Sequence, residues 1–196
     1  MTVTDASATS DALGAAVLAG LHHNFRQYKA LADRALAQLS TAEWLHVPAP
    51  GSHSAAVIVQ HMAGNLRSRF TDFLTTDGEK PTRRREQEFE EPAGPAALPA
   101  LRQAWEAAWS VLFNLLTDLR PGELLNTVTI RGEAHTVLAA LQRQVAHHCS
   151  HVGQLVQLAK LIRGESFQSL SIPRGQSEQF TADRRAAANP AGPLAV

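Results

Sequence analysis

His147 and His151 stand four residues apart in the string AHHCSHVGQL. On a helix that spacing sets two imidazoles about 40° apart around the axis and about 6 Å apart along it. Two neutral imidazoles so placed can chelate one divalent cation. His148 offers a rival pairing with His151 at a spacing of three. A helical wheel separates the two, because His148 points about 40° from the centre of the apolar stripe and His147 and His151 fall at its margin. His148 therefore reads as a core histidine bonded to a carbonyl. Cys149, on the far side of the helix from the paired histidines, reads as a small buried hydrophobe.

Among the nine histidines, a third candidate stands on a different segment. His61 heads a stripe of Gly64, Asn65, Ser68 and Asp72, away from the apolar stripe of Met62, Leu66 and Phe70. An ordinary solvent face favours Lys and Glu, whereas small polar groups suit the lining of a cleft. Arg143 and Gln154 flank the paired histidines along their stripe and are types that orient a ligand or touch a substrate. Two other metal chemistries fall away. No H-E-x-x-H is present, so a metalloprotease would lack its general base. A ferritin-like di-iron site needs two Glu-x-x-His motifs and two further glutamates. The chain has only Glu43-Trp-Leu-His46, which runs into Pro48.

Long helices must position these groups. Leu18, Leu21, Phe25, Tyr28, Ala32, Ala35 and Leu39 advance in steps of three and four, the signature of one buried helical stripe. Val47-Pro-Ala-Pro-Gly-Ser52 then interrupts the chain. A second helix is expected from Ser52 or Ser54, either able to cap it, to about Thr75, with Asp77-Gly78 and Pro81 ending it. A third starts near Pro99 and stops at Pro121-Gly122. The last runs from about Thr136 to Ile162 and ends at Gly164. The predicted spans are 15–40, 53–75, 98–119 and 136–162. Thr127–Arg131 is β-branched and reads as an extended segment with no partner. The charged 79–95 stretch reads as loop, and Arg83-Arg84-Arg85 beside Glu86, Glu88, Glu90 and Glu91 as a solvated, self-compensating part of it. Residues 1–10 and 183–196 read as frayed termini around a domain at 11–182.

Four amphipathic helices without convincing strands define an all-α, four-helix bundle. Hydrophobic residues are 44% of the chain, enough for a core. One cysteine excludes an intrachain disulfide and a Cys-rich zinc site, which fits a cytoplasmic protein. Eighteen basic residues balance eighteen acidic ones, leaving no electrostatic footprint for nucleic acid. No apolar run approaches the roughly 20 residues of a membrane span, and the first ten residues are not a secretory signal.

The blocks HMAGNLRSRFTDFLTTDGEKP at 61–81, TIRGEAHTVLAALQRQVAHHCSHVGQLVQLAK at 129–160 and SIPRGQSEQF at 171–180 resemble an uncharacterised branch of the DinB/YfiT-like superfamily. The resemblance covers residues 20 to 180. It implies a four-helix bundle of the DinB/YfiT-like type and points to a homodimer; with the extended segment read above, a short C-terminal helix completes the expected fold. It also implies a metal triad of one histidine on the second helix and an H-x-x-x-H pair on the last, carried here by His61, His147 and His151. Relatives of known activity use zinc or a similar ion for low-molecular-weight-thiol chemistry, as S-transferases or a thiol-dependent isomerase; others are assigned as hydrolases.

Three neutral imidazoles leave a bound ion its full charge and an open position, the catalytic pattern. The expected cofactor is one divalent metal ion, zinc or nickel, able to acidify a bound thiol or water. No general base is evident beside it, which favours thiol S-transferase-type chemistry on a small-molecule thiol and electrophile over hydrolysis. The competing class is a non-catalytic bundle in which the ion is structural or sensed. Arg143, with Asn65 or Gln154, is expected to orient an anionic substrate, against the alternative of a salt bridge from Arg143 to Glu133.

Overall fold

The computed structural model describes residues 3–188. Among them are six α-helices and one hairpin: α1 Val3–Leu36, α2 Thr41–Trp44, α3 Ala55–Phe70, α4 Leu98–Asp118, β1 Thr127–Ile130, β2 Glu133–Thr136, α5 Val137–Arg163 and α6 Ser177–Ala188. The chain is mostly helical. The long helices close a ring of contacts in which α1 packs on α5, α5 on α3, α3 on α4 and α4 on α1.

The stripe predicted for α1 is the one buried, with Phe25, Ala32 and Ala35 fully covered. Trp109 of α4 lies at the centre, 6.4 Å from the Phe25 ring and 5.5 Å from Trp105. Covering a side chain of Phe25's size contributes about 1.5–3 kcal/mol.

Several boundaries move. The helix α1 reaches back to Val3, into the stretch expected to fray, because residues 3–13 contain neither Gly nor Pro to halt its propagation. It stops at Leu36, and Ser40 opens α2 by a reciprocal capping box with Glu43. Ser54 caps α3 by accepting from the Val57 amide, as its position suggested. That helix ends at Phe70, five residues short of Thr75, where Thr71 turns extended and Asp72 adopts a φ of 47°. The short α6 continues through Asp183 to Ala188, and none of its residues is buried; residues 189–196 of the expected tail lie outside the described part.

The expectation of a lone extended segment is corrected. Thr127–Ile130 pairs antiparallel with Glu133–Thr136 in a two-stranded sheet, Thr127 opposite Thr136 and Ile130 opposite Glu133. Arg131 and Gly132 both take positive φ, 56° and 77°, as the two-residue turn of a twisted hairpin demands. Because Arg replaces the Asn or Asp usual at the first turn position, the sequence signal was weak. Val128 and Ile130 point into the core. The turn is fastened to the loop after α3 by Asp77, whose carboxylate accepts from the amides of Glu79 (2.6 Å), Arg131 (2.9 Å) and Gly132 (2.8 Å). Those amides hold its pKa at about 2.

Candidate metal centre

The helices α3 and α5 bring His61, His147 and His151 together. Each offers one ring nitrogen, and the three nitrogens all lie within 4.8 Å of one another. The ring centroids are 5.4 Å apart for His61 and His147, 4.9 Å for His61 and His151, and 4.5 Å for His147 and His151. Nitrogens bound tetrahedrally to one first-row ion, each about 2.0–2.1 Å from it, sit about 3.4 Å from each other, so the three rings would draw together as an ion binds. The cluster could hold a metal ion.

The donor set fits one. His61 is buried and the two α5 histidines are half-buried. The Nδ1 of His61 lies 3.0 Å from Glu88 Oε2. With Glu88 ionised, the imidazole donates from Nδ1 and keeps its lone pair on Nε2, the tautomer a metal ligand needs. His151 makes the equivalent bond from Nδ1 to Gln154 Oε1 at 2.7 Å. The Nδ1 of His147 is buried without a hydrogen-bond partner, the unmet condition that a neighbouring cation relieves. Burial, followed by the nearness of His151 and His61, lowers the pKa of His147 to about 4. Burial lowers that of His151 as well, in spite of the bond to Gln154. Both rings are therefore neutral at neutral pH, each with a lone pair available to a metal.

Glu88 was not legible as part of this site. The expectation that 83–91 is a solvated, self-compensating loop is corrected: Arg83 and Glu88 turn inward, with side chains 4% and 9% exposed. Arg83 clasps Glu88 with two bonds, Nε to Oε1 at 2.8 Å and Nη2 to Oε2 at 2.7 Å. The Nη1 of Arg83 reaches Glu79, which also accepts from Arg69 at 3.5 Å and Arg131 at 3.2 Å. Burial pushes the Glu88 carboxyl up, but Arg83 and His61 together outweigh it and hold the pKa below the usual value. The single turn Glu86–Phe89 that delivers Glu88 also stacks Phe89 on His61, with centroids 4.7 Å apart. A side chain at Gly64 would collide with the Glu88 carboxylate, so this glycine admits the loop to the helix surface. Nothing periodic marks the contact, because the loop crosses α3 without a helical or strand repeat.

The remaining candidates divide. Gln154 touches His151 as described. Asn65 is buried one turn beyond His61, its Oδ1 without a partner. Arg143 is exposed and forms no ion pair with Glu133 or any other described residue. Gln144, which the sequence did not single out, is buried three residues before His147 with Oε1 unpartnered. His148 is fully buried as expected, but its predicted carbonyl bond is absent and neither ring nitrogen has a partner. It packs instead on Trp109 and Phe25, at 5.2 and 6.1 Å. Burial lowers its pKa well below the ordinary value, so it is held neutral. The burial expected for Cys149 is corrected: it is exposed, because the face of α5 carrying Ala146, Cys149, Ser150 and Gly153 is uncovered.

A family model described as "Protein of unknown function (DUF1572)" matches residues 12–176. No curated protein and no solved structure matches the chain. No helix among the described residues is long and apolar enough to cross a membrane.

Proposed function

The chain belongs to the DUF1572 family, whose description assigns no activity, and we propose from its site that it is a divalent-metal-dependent enzyme of thiol S-transferase type, built as a four-helix bundle of the DinB/YfiT-like kind. The observation that carries this reading is the convergence of three imidazole nitrogens within 4.8 Å, backed by a carboxylate against one of the rings. Three protein ligands are the count of catalytic zinc sites, four that of structural ones.

In this reading His61, His147 and His151 hold one zinc or nickel ion. When bound, such an ion supplies Lewis acidity that lowers the pKa of a thiol or a water. The chain's own groups do the rest. Glu88 and Gln154 hold the rings in register. Arg143, uncommitted and one turn from His147, offers a planar fork to the carboxylate of a cysteine-based thiol, with Asn65 facing the same seam. Among the described residues Glu88 is the carboxylate bonded to the triad, and both its oxygens are engaged by Arg83 and His61. It orients a ligand and is not free to take a proton, so hydrolysis would lack a base where thiol transfer needs none. The protein acts as a homodimer in the cytoplasm, with a small-molecule thiol and an electrophile as its partners.

Elemental analysis of the purified protein, followed by conjugation of cysteine and glutathione to a haloalkyl bimane with and without chelator, tests the reading. About one zinc or nickel per chain and chelator-sensitive conjugation are expected. Stoichiometric metal without turnover would move the protein to the structural or sensing class, and absence of bound metal would end the proposal.

A further inference from the structure

A cavity of about 980 Å³ opens between the 80–92 segment, α3 and α4. This is the volume of a site for a small organic ligand. None of the three histidines lines it. Glu88 both reaches His61 and forms part of the cavity wall.

The walls are of two kinds. Ala63, Ala100, Leu101, Ala104 and Pro92 make an apolar side. Facing it are four cations, Arg67, Lys80, Arg83 and Arg84, against two carboxylates, Asp72 and Glu88. The charge of Arg83 is taken up by Glu79 and Glu88. Lys80 donates to the Asp77 carbonyl at 2.6 Å. Arg67 and Arg84 are different, because neither guanidinium has a hydrogen-bond or ion-pair partner among the described residues. Two open guanidinium forks at the mouth of a partly apolar cavity match an anionic head group on an apolar body.

We infer that this cavity is a second ligand site, separate from the histidine cluster, that takes a small amphiphilic organic anion. Arg67 and Arg84 bind its carboxylate or phosphate, and the alanine-rich wall of α4 with Leu101 receives its apolar part. The inference does not depend on the metal.

Isothermal titration of the full chain with hexanoate, hexyl phosphate and the neutral hexanol tests it, in zinc-loaded and in chelator-treated protein. At least one anion should bind saturably, tenfold or more tighter than hexanol, in both preparations; the two anions distinguish a carboxylate from a phosphate ligand. Arg67→Gln and Arg84→Gln should each weaken that binding about tenfold, the scale of one lost charged hydrogen bond, with the melting temperature unchanged. Ala104→Trp, which fills the cavity, should abolish it, and His147→Ala should leave it intact. The inference is overturned if neither anion binds saturably, if both arginine variants bind as wild type does, or if binding vanishes with the metal. Anion binding that persists in chelated protein while thiol conjugation fails would uphold this site and remove the proposed enzyme activity.

Discussion

Glu88 sits 3.0 Å from His61 across 27 residues of chain, and it reaches that position from a loop. The pair joins the α3 histidine to an ion network running through Arg83, Glu79 and Arg131 to the tip of the β-hairpin. A ring on a helix is thereby held by charges contributed from two loops. Glu88→Gln should weaken zinc binding about 10–100-fold, the scale for removing a partner behind a metal-ligating histidine. It should also cost about 3 kcal/mol of stability, because Arg83 loses half of its buried charge compensation. Zinc titration and denaturant unfolding of the metal-free protein separate the two effects. Unchanged zinc affinity would reduce Glu88 to a structural role.

The three histidines are expected to behave differently from five others. His61→Ala, His147→Ala and His151→Ala should each sharply lower bound metal, whereas His22→Ala, His23→Ala, His53→Ala and His135→Ala should leave it unchanged. His148→Ala should lower the melting temperature, since the ring fills the space between Trp109 and Phe25, and leave metal content near wild type. Loss of metal in His148→Ala but not in His147→Ala would reverse the assignment.

Arg143→Met tests substrate contact. The side chain is exposed and makes no ion pair among the described residues, so the melting temperature should stay within about 1 °C of wild type, surface changes of this kind being worth at most about 0.5 kcal/mol. Binding of an anionic thiol should weaken by about 1–3 kcal/mol. Equal thiol affinity in both proteins would exclude Arg143 from the substrate site.

Asp77 predicts a pH dependence. Its pKa is about 2 in the folded chain against an ordinary 3.8, so the folded state favours the carboxylate. The stabilisation is present above about pH 4 and is lost as the pH falls toward 2. Asp77→Asn should therefore be less stable than wild type at pH 7, and the gap should narrow between pH 4 and pH 2. Because the group is largely solvent-screened, the effect is small. Thermal melts across that range read it directly, and a gap independent of pH would show that the carboxylate charge is not the cause.

Sedimentation equilibrium at micromolar concentration should return twice the mass of one chain. Leu125, Leu161 and Leu13 are 76%, 65% and 67% exposed, apolar area that a second copy would cover. A clean monomer would count against the homodimer.

The helical class, the core stripe of α1 and the placing of His147 and His151 at the edge of the core on α5 were all legible in the sequence, for one reason. Each depends on a repeat of 3.6 residues, a local property of the chain that survives without knowledge of what packs against it. The bond of Gln154 to His151, three residues away, belongs to the same local order. Tertiary structure decided what lies across the gaps. Glu88 and Arg83, in a run of charges that reads as solvated, are buried because Gly64 leaves room on α3 for the carboxylate and because each offers the other a partner. The hairpin formed from a segment that looked unpaired because Asp77, some 50 residues earlier, supplies an acceptor for the amides of its turn. Cys149 is exposed because no described helix covers the face of α5 that carries it, and His148 forgoes its carbonyl for aromatic neighbours on α1 and α4. A side chain's helical phase is written in its own segment. Whether that phase meets solvent, a charge or a ring depends on elements that the chain brings from far away.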